Sequence, residues 1–403
     1  MKVIHTADWH LGQTFYGYDR GKEHELFLDW LCDLIKERGT ELLLIAGDVF
    51  DNPNPSAEAQ RIYYSFLKRI TAENEGLQII VTAGNHDSAA RIEAPSPLLN
   101  AFNVHVSGVV HYKDGEIDYD SMIIPIANNG CCLAVPYLRH SDLPEADSYS
   151  EGVAKMYQNL YERAREKGYS PIIAMGHLQA SGAEVSVGDA SEHIIIGGME
   201  GLDADFANSG IVYTALGHLH KAQRVARREN VRYSGAPLPM SFAERRNRQS
   251  VTEVVIEGNS CNIEKIEFDT PAKLLSIPEK PEAIDIVLDE ISRLATGKAD
   301  CHAPYLEIKL LVTTVDPTIR QRIEDALADK YVRLANISAT SNIVRGEGEC
   351  SPMTYDEFKK ADPIELIKEI YRRCEEKSMP KHLESLLSEV IKEVQNEDSS
   401  NKR

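Results

Sequence analysis

Over its first 270 residues or so, this chain alternates short apolar runs with amphipathic stretches, a rhythm that admits few folds beyond an α/β domain. Val3-Ile4, Leu42 to Ala46, Ile79 to Val81, Ile172 to Ala174 and Ile211 to Ala215 read as buried strands rich in β-branched residues and leucine. A polar motif closes each run. In order these are DWH (Asp8, Trp9, His10), GDVFD (Gly47 to Asp51), GNHD (Gly84 to Asp87), GH (Gly176, His177) and GHLH (Gly217 to His220). Loops leaving strand ends in α/β sheets converge on one crevice, so five motifs after five strands are expected to meet there. Gly47, Gly84, Gly176 and Gly217 each precede a polar residue and let the backbone turn sharply.

Between the strands, Ser56 after Pro55 caps a helix through Ile70, and another helix is expected over Pro95 to Phe102. Val104 to Asp120 and Val251 to Phe268 alternate as strands do, with DG and GN turn signals. A chain of 403 residues should exceed one core. The expected division is a main domain over 1–270, a proline- and lysine-punctuated linker over 271–281, a small α+β unit over 282–346, two amphipathic helices over 350–394 and a disordered tail over 395–403. The small unit reads as helix Ile284 to Leu294, strand Tyr305 to Val312, helix Pro317 to Leu327 and strand Tyr331 to Ile337.

No secretory signal opens the sequence, and no apolar run approaches the roughly 20 residues that cross a bilayer. Seven scattered cysteines without a C-x-x-C argue against a disulfide framework or thiolate metal site and for a reducing compartment. A soluble cytoplasmic protein without a membrane partner is expected. The formal net charge of −19 argues against unaided binding to nucleic acid. The charge is uneven, however. From Lys221 to Gln249 the chain carries Lys221, Arg224, Arg227, Arg228, Arg232, Arg245, Arg246 and Arg248 against only Glu229 and Glu244. Such a strip beside an acidic metal site suits a polyanion, although charge runs are often only solvated faces.

The five motifs supply oxygen and imidazole donors but no thiolate. Imidazole suits manganese, iron and zinc better than magnesium, and a mixed Asp, Asn and His set fits manganese well. A pair of divalent ions can activate a phosphate ester for in-line attack. That chemistry needs a carboxylate able to bridge, terminal ligands for each ion, and an acid for the leaving oxygen.

With these spacings, the series resembles the calcineurin-like metallophosphoesterase superfamily. The opening MKVIHTADWHLG and the YSGAP at Tyr233 to Pro237 resemble the bacterial SbcD family of nuclease subunits within it. The motif resemblance spans roughly residues 1 to 250. It implies a metallophosphoesterase β-sandwich flanked by helices, with a small α+β capping domain and a C-terminal helical segment gripping a partner. It also implies that Asp8, His10 and His220 hold one ion, that Asn85, His177 and His218 hold the other, and that Asp48 bridges them. His86 would be the general acid. Asp51 stands where phosphatases of the superfamily carry a carboxylate that pairs with the catalytic histidine, and it is expected to orient His86. Asp87 is left to a supporting or helix-capping role. The implied activity is manganese-dependent exonuclease and endonuclease cleavage of DNA at ends and hairpins. The implied partners are an SbcC-like coiled-coil ATPase and a second copy of the chain, in a heterotetramer. The helix from Ser56 to Ile70 is the candidate dimer contact. A small-nucleotide phosphodiesterase and a catalytically inactive scaffold subunit are the rival readings.

Overall fold

The computed structural model describes residues 1–180, 210–312 and 316–341, together with Lys368, Pro380 and Leu383. The chain divides into two compact units, Met1–Ser341 and Asn342–Arg403. Apart from those three residues, the helices expected over 350–394 and the tail lie outside the described residues.

Two six-stranded sheets form the body of the first unit. One runs in the order Ser260–Glu267, Ser250–Glu257, Lys2–Thr6, Leu42–Ala46, Gln78–Thr82 and Val104–Ser107, the last four strands parallel. The other runs Gln223–Val225, Arg228–Tyr233, Tyr213–Gly217, Ile172–His177, Gly130–Ala134 and Ile123–Ile126, parallel through its four central strands. Side chains alternate across each strand, and the sequence places apolar residues on both faces. Leu42, Leu44 and Ala46 meet Ile173, Met175 and Ala215 between the sheets. Leu43 and Ile45 point the other way, into a second core beneath helices Gly21–Arg38 and Ala57–Glu73. Ile172 and Ala174 face outward under helix Tyr149–Glu166. The result is helix, sheet, sheet, helix: the expected β-sandwich flanked by helices. Strands buried on both faces explain the near-continuous apolar runs.

Local signals are honoured where tertiary packing agrees with them. The Ser56 hydroxyl accepts from Ala59 N at 3.1 Å and opens helix Ala57–Glu73. Its stripe of Ile62, Tyr63, Phe66, Leu67 and Ile70 is buried against this chain's own core, so a second copy would have to meet the helix's polar face. Gly258 and Asn259 turn the hairpin between Ser250–Glu257 and Ser260–Glu267. Cys131 and Cys132 are fully buried in a strand. His5 is a core residue, bonded through Nδ1 to the Tyr213 hydroxyl at 2.8 Å.

Two expectations change. The helix expected over Pro95 to Phe102 is broken into Ala89–Glu93, Ser96–Leu99 and a 3-10 turn at Asn100–Phe102, because Pro95 and Pro97 interrupt the backbone ladder. The stretch 271–281, read as a linker, contains strand Leu274–Glu282. That strand lies at the edge of a three-stranded parallel sheet with Tyr305–Val312 and Arg333–Ser341. The register shifts between Ile277 and Glu282, where Pro278 and Pro281 sit; an edge strand tolerates the missing N–H groups. Helices Ile284–Ser292 and Ile319–Leu327 cover this sheet through Val287, Ile291 and Ile323.

Candidate metal centre

All five motifs lie at the C-terminal ends of central strands, where the two sheets open side by side. Backbone bonds lace the first two loops together: Asp8 N donates to Gly47 O at 3.1 Å and His10 N to Asp48 O at 3.0 Å. Links also cross between sheets. His218 N donates to Asp8 Oδ1 at 2.8 Å, and His177 Nδ1 to Ala46 O at 2.9 Å. Trp9, buried against Phe27 and Phe66, anchors the first loop in the core.

The loops adopt conformations that ordinary side chains avoid. Asp8, His10, Asp48 and His218 have φ of 55°, 48°, 49° and 106°. Such strain persists only where the surroundings enforce it, and it concentrates at functional sites. Close approach is equally demanding. A methyl group on Gly84 would overlap the Asp48 carboxylate and backbone nitrogen, and one on Gly47 (φ 85°) would overlap the His177 ring. Gly84→Ala should therefore displace Asp48, costing about 1–3 kcal/mol of stability and most of the bound metal. Elemental analysis and a thermal melt check this; a variant with wild-type metal content would refute it.

The structure brings the seven expected ligands and His86 into one pocket. Ligand atoms of His10, Asp48 and His86 cluster within 4.8 Å of one another, as do those of Asp8, Asp48 and His177. Asp48 belongs to both groups. Its Oδ2 lies 3.2 Å from His177 Nε2 and 3.8 Å from His10 Nε2, while Oδ1 accepts from His86 N at 2.8 Å. Asn85 Oδ1 lies 3.0 Å from His177 Nε2 and 3.1 Å from His218 Nδ1. The His10 ring packs edge-on against both His86 and His220, at centroid distances of 4.9 and 5.2 Å.

The chemistry of the pocket fits divalent cations. Asp8 Oδ2 and both ring nitrogens of His10 are buried without a hydrogen-bond partner, a cost that ligation would remove. His177 donates Nδ1–H to the Ala46 carbonyl, which turns its Nε2 toward Asp48 and Asn85. Burial and the neighbouring His177 lower the His218 imidazole to about 3, keeping it in the neutral form that a metal requires. Burial also opposes charge on His177, but Asp48 and Asp8 outweigh it and lift its pKa to about 9. Burial likewise disfavours ionised Asp48, yet His177, His10 and His86 hold it well below the usual carboxylate range. Two buried carboxylates thus call for positive charge beside them, and cations supply it.

Asp51 sits differently from expectation. Its backbone carbonyl, not its carboxylate, lies 2.9 Å from His86 Nδ1, and the carboxylate instead approaches His10 Nδ1 at 3.5 Å. The loop's path puts the peptide group nearer the ring. Asp87 acts as a loop tie: its carboxylate accepts from Val49 N, Phe50 N and Gly84 N, joining the second and third motifs. Burial and Asp48 push that carboxyl up to about 6 despite these three donors.

Glu244 was missed as a site residue. It is buried with Oε1 3.6 Å from His220 Nδ1, where it can fix the ring. Its signal was an acid standing within an arginine-rich segment. The Tyr233 hydroxyl, from YSGAP, donates to Leu178 O at 2.7 Å and accepts from Ala180 N at 2.9 Å, tying down the loop after His177.

A helix-flanked double sheet gathering these donors at its strand ends defines a metallophosphoesterase. Comparison with known proteins gives the same class. Residues 1–222 match the family of calcineurin-like phosphoesterases, and residues 271–375 match the family described as a type 5 capsule protein repressor C-terminal domain. The SbcD subunit of the SbcCD nuclease from Rhodobacter capsulatus is 35% identical over 357 residues, covering 84% of this chain and 87% of that relative. Its counterpart from Escherichia coli K12 is 34% identical, covering 60% of this chain and 62% of the relative. For the Bacillus subtilis counterpart the values are 32%, 63% and 66%. The chain belongs to the calcineurin-like phosphoesterase family, within the group of SbcD nuclease subunits. It is a hydrolase of phosphodiester bonds.

Proposed function

We propose that this chain is the metal-dependent nuclease subunit of a DNA-end-processing complex, cutting DNA ends and hairpins with two divalent ions, manganese by preference. The observation that carries this reading is the shared carboxylate: Asp48 belongs to both clusters of ligand atoms. Asp8, His10 and His220 would hold one ion, Asn85, His177 and His218 the other, with Asp48 between them. Bound there, the ions would supply Lewis-acid activation of the phosphate and of water. The chain's own residues do the rest. Because a carbonyl can only accept, His86 Nδ1–H must donate to Asp51 O, which leaves Nε2 as the atom that carries a proton to the leaving oxygen. Asp87 and Trp9 hold the loops, and Glu244 steadies His220.

An SbcC-like coiled-coil ATPase is part of the proposal, because a chain at net −19 gains from a partner that supplies DNA-binding surface. So is a homodimer within the heterotetramer, using the polar face of helix Ala57–Glu73. Among the described residues, no helix is long and apolar enough to cross a membrane.

The test is manganese-dependent digestion of end-labelled hairpin and linear duplex DNA by wild type and His86→Ala. The variant should keep about two ions per chain and lose roughly 10²–10⁴-fold in cleavage rate. Cleavage at the wild-type rate would remove His86 from the chemistry. Wild-type protein without metal would sink the catalytic reading itself.

A further inference from the structure

His220 opens on one side to the metal centre. On the other it forms part of the wall of a cavity of about 250 Å³. The remaining walls come from the YSGAP loop, the turn 246–250 and strand Ser260–Glu267. Four cationic side chains line this cavity, Lys221, Arg246, Arg248 and Lys265, and among the described residues no carboxylate does. The cations are held from outside: Arg248 and Lys265 pair with Glu267, and Arg246 with Glu279, in solvent-exposed contacts that a bound anion can outcompete.

Three polar atoms give the cavity a sharper meaning. Asn247 Nδ2, Gln249 Nε2 and Ser250 Oγ are buried and make no hydrogen bond within the protein. All three residues line this same space. Burying a donor without an acceptor is costly, so a set of three in one cationic cavity needs an explanation. A tetrahedral anion with several acceptor oxygens satisfies amide donors, a hydroxyl and ammonium groups together.

We propose that this cavity is a phosphate subsite that holds a backbone phosphate of the substrate strand next to the one at the metal centre. The proposal rests on the nuclease reading above and deepens it. Sharing His220 with the metal site places the two phosphates on one strand, and the subsite fixes the direction in which that strand leaves. Across the 246–249 turn a larger cavity, about 630 Å³, continues the strip with Arg245 and Lys273, giving the strand a path onward. The subsite also explains how an acidic protein engages DNA locally: the basic segment is concentrated at one mouth of the site.

The test measures binding of a fluorescent single-stranded oligonucleotide to the full-length chain in EDTA, over a range of salt concentrations. Lys265→Ala should weaken binding and reduce the slope of log K against log salt by about 1. Gln249→Glu should weaken binding about tenfold or more by placing a carboxylate where the phosphate sits. It should also hold or raise the melting temperature, since that carboxylate lies among four cations. Wild-type affinity and salt slope in both variants, with DNA still cut by wild type, would overturn the subsite alone. Failure of wild type to bind or cut any DNA would overturn the nuclease reading, and the subsite with it.

Discussion

Asp48→Ala should strip both metal positions at once. One carboxylate belongs to both groups of ligand atoms, so its removal should lower metal content from about two ions per chain toward zero, not toward one. The expected loss in metal affinity exceeds the roughly 10–100-fold that outer-shell substitutions cost, and hairpin cleavage should fall to background. Asp48 Oδ1 also holds the His86 amide and Oδ2 faces His177, so the third and fourth motifs lose their common anchor. Elemental analysis of the purified variant decides the point, with circular dichroism to establish that it has folded. A variant retaining one tightly bound ion would show that Asp48 serves a single position and that the bridging role is wrong.

Glu23→Ala should produce a large loss of stability although it lies away from the metal centre. Glu23 lies in helix Gly21–Arg38 and is 1% exposed. Its Oε2 accepts from Arg20 Nη2 at 3.0 Å. Oε1 accepts from Arg333 Nη2 at 3.1 Å and from the Tyr305 hydroxyl at 2.6 Å. Arg20 and Arg333 are themselves almost fully buried, and the Arg333 guanidinium stacks 3.6 Å from the Tyr305 ring centroid. Glu23 is the carboxylate that both guanidinium groups share, and removing it leaves two buried cations facing each other, at a cost of about 3–5 kcal/mol. Because Glu23 belongs to the sandwich and Arg333 to the small three-stranded sheet, the damage should concentrate where these two parts meet. The thermal melt of the variant should shift down and split, the small sheet unfolding first. Glu23→Gln, which keeps the hydrogen bond from Tyr305 but loses the charge, should fall between. A melt superimposable on wild type would show that the network is not what holds the two parts together.

The same network marks the limit of what linear reading can reach. The donor set was legible because each proposed ligand follows one of five strands within a few residues. Buried strands announce themselves as apolar runs, as Leu42–Ala46 does, and loops at their C-terminal ends have one place to converge. Asp8, His10, Asp48, Asn85, His86, His177, His218 and His220 could therefore be gathered before any fold was known. The hairpin at Gly258-Asn259 and the cap at Ser56 were equally local.

What stayed hidden depends on atoms brought together from far apart or on choices between equivalent groups. Strand Leu274–Glu282 looked like a linker because its prolines forbid a central strand, and only its edge position makes them harmless. Glu244 reaches His220 across a turn whose path no periodicity reveals, and Glu23 meets Arg333 310 residues along the chain. For Asp51, residue type suggested a carboxylate on His86, whereas the loop presents the carbonyl to that ring and the carboxylate to His10. The sequence by itself determined the five strands that lead into the site and which chemical groups end them, because both follow from residue type and short-range spacing. Only the tertiary structure decided which atom faces which, because loops from two separate sheets meet there and a few ångströms of backbone path exchange a carboxylate for a carbonyl.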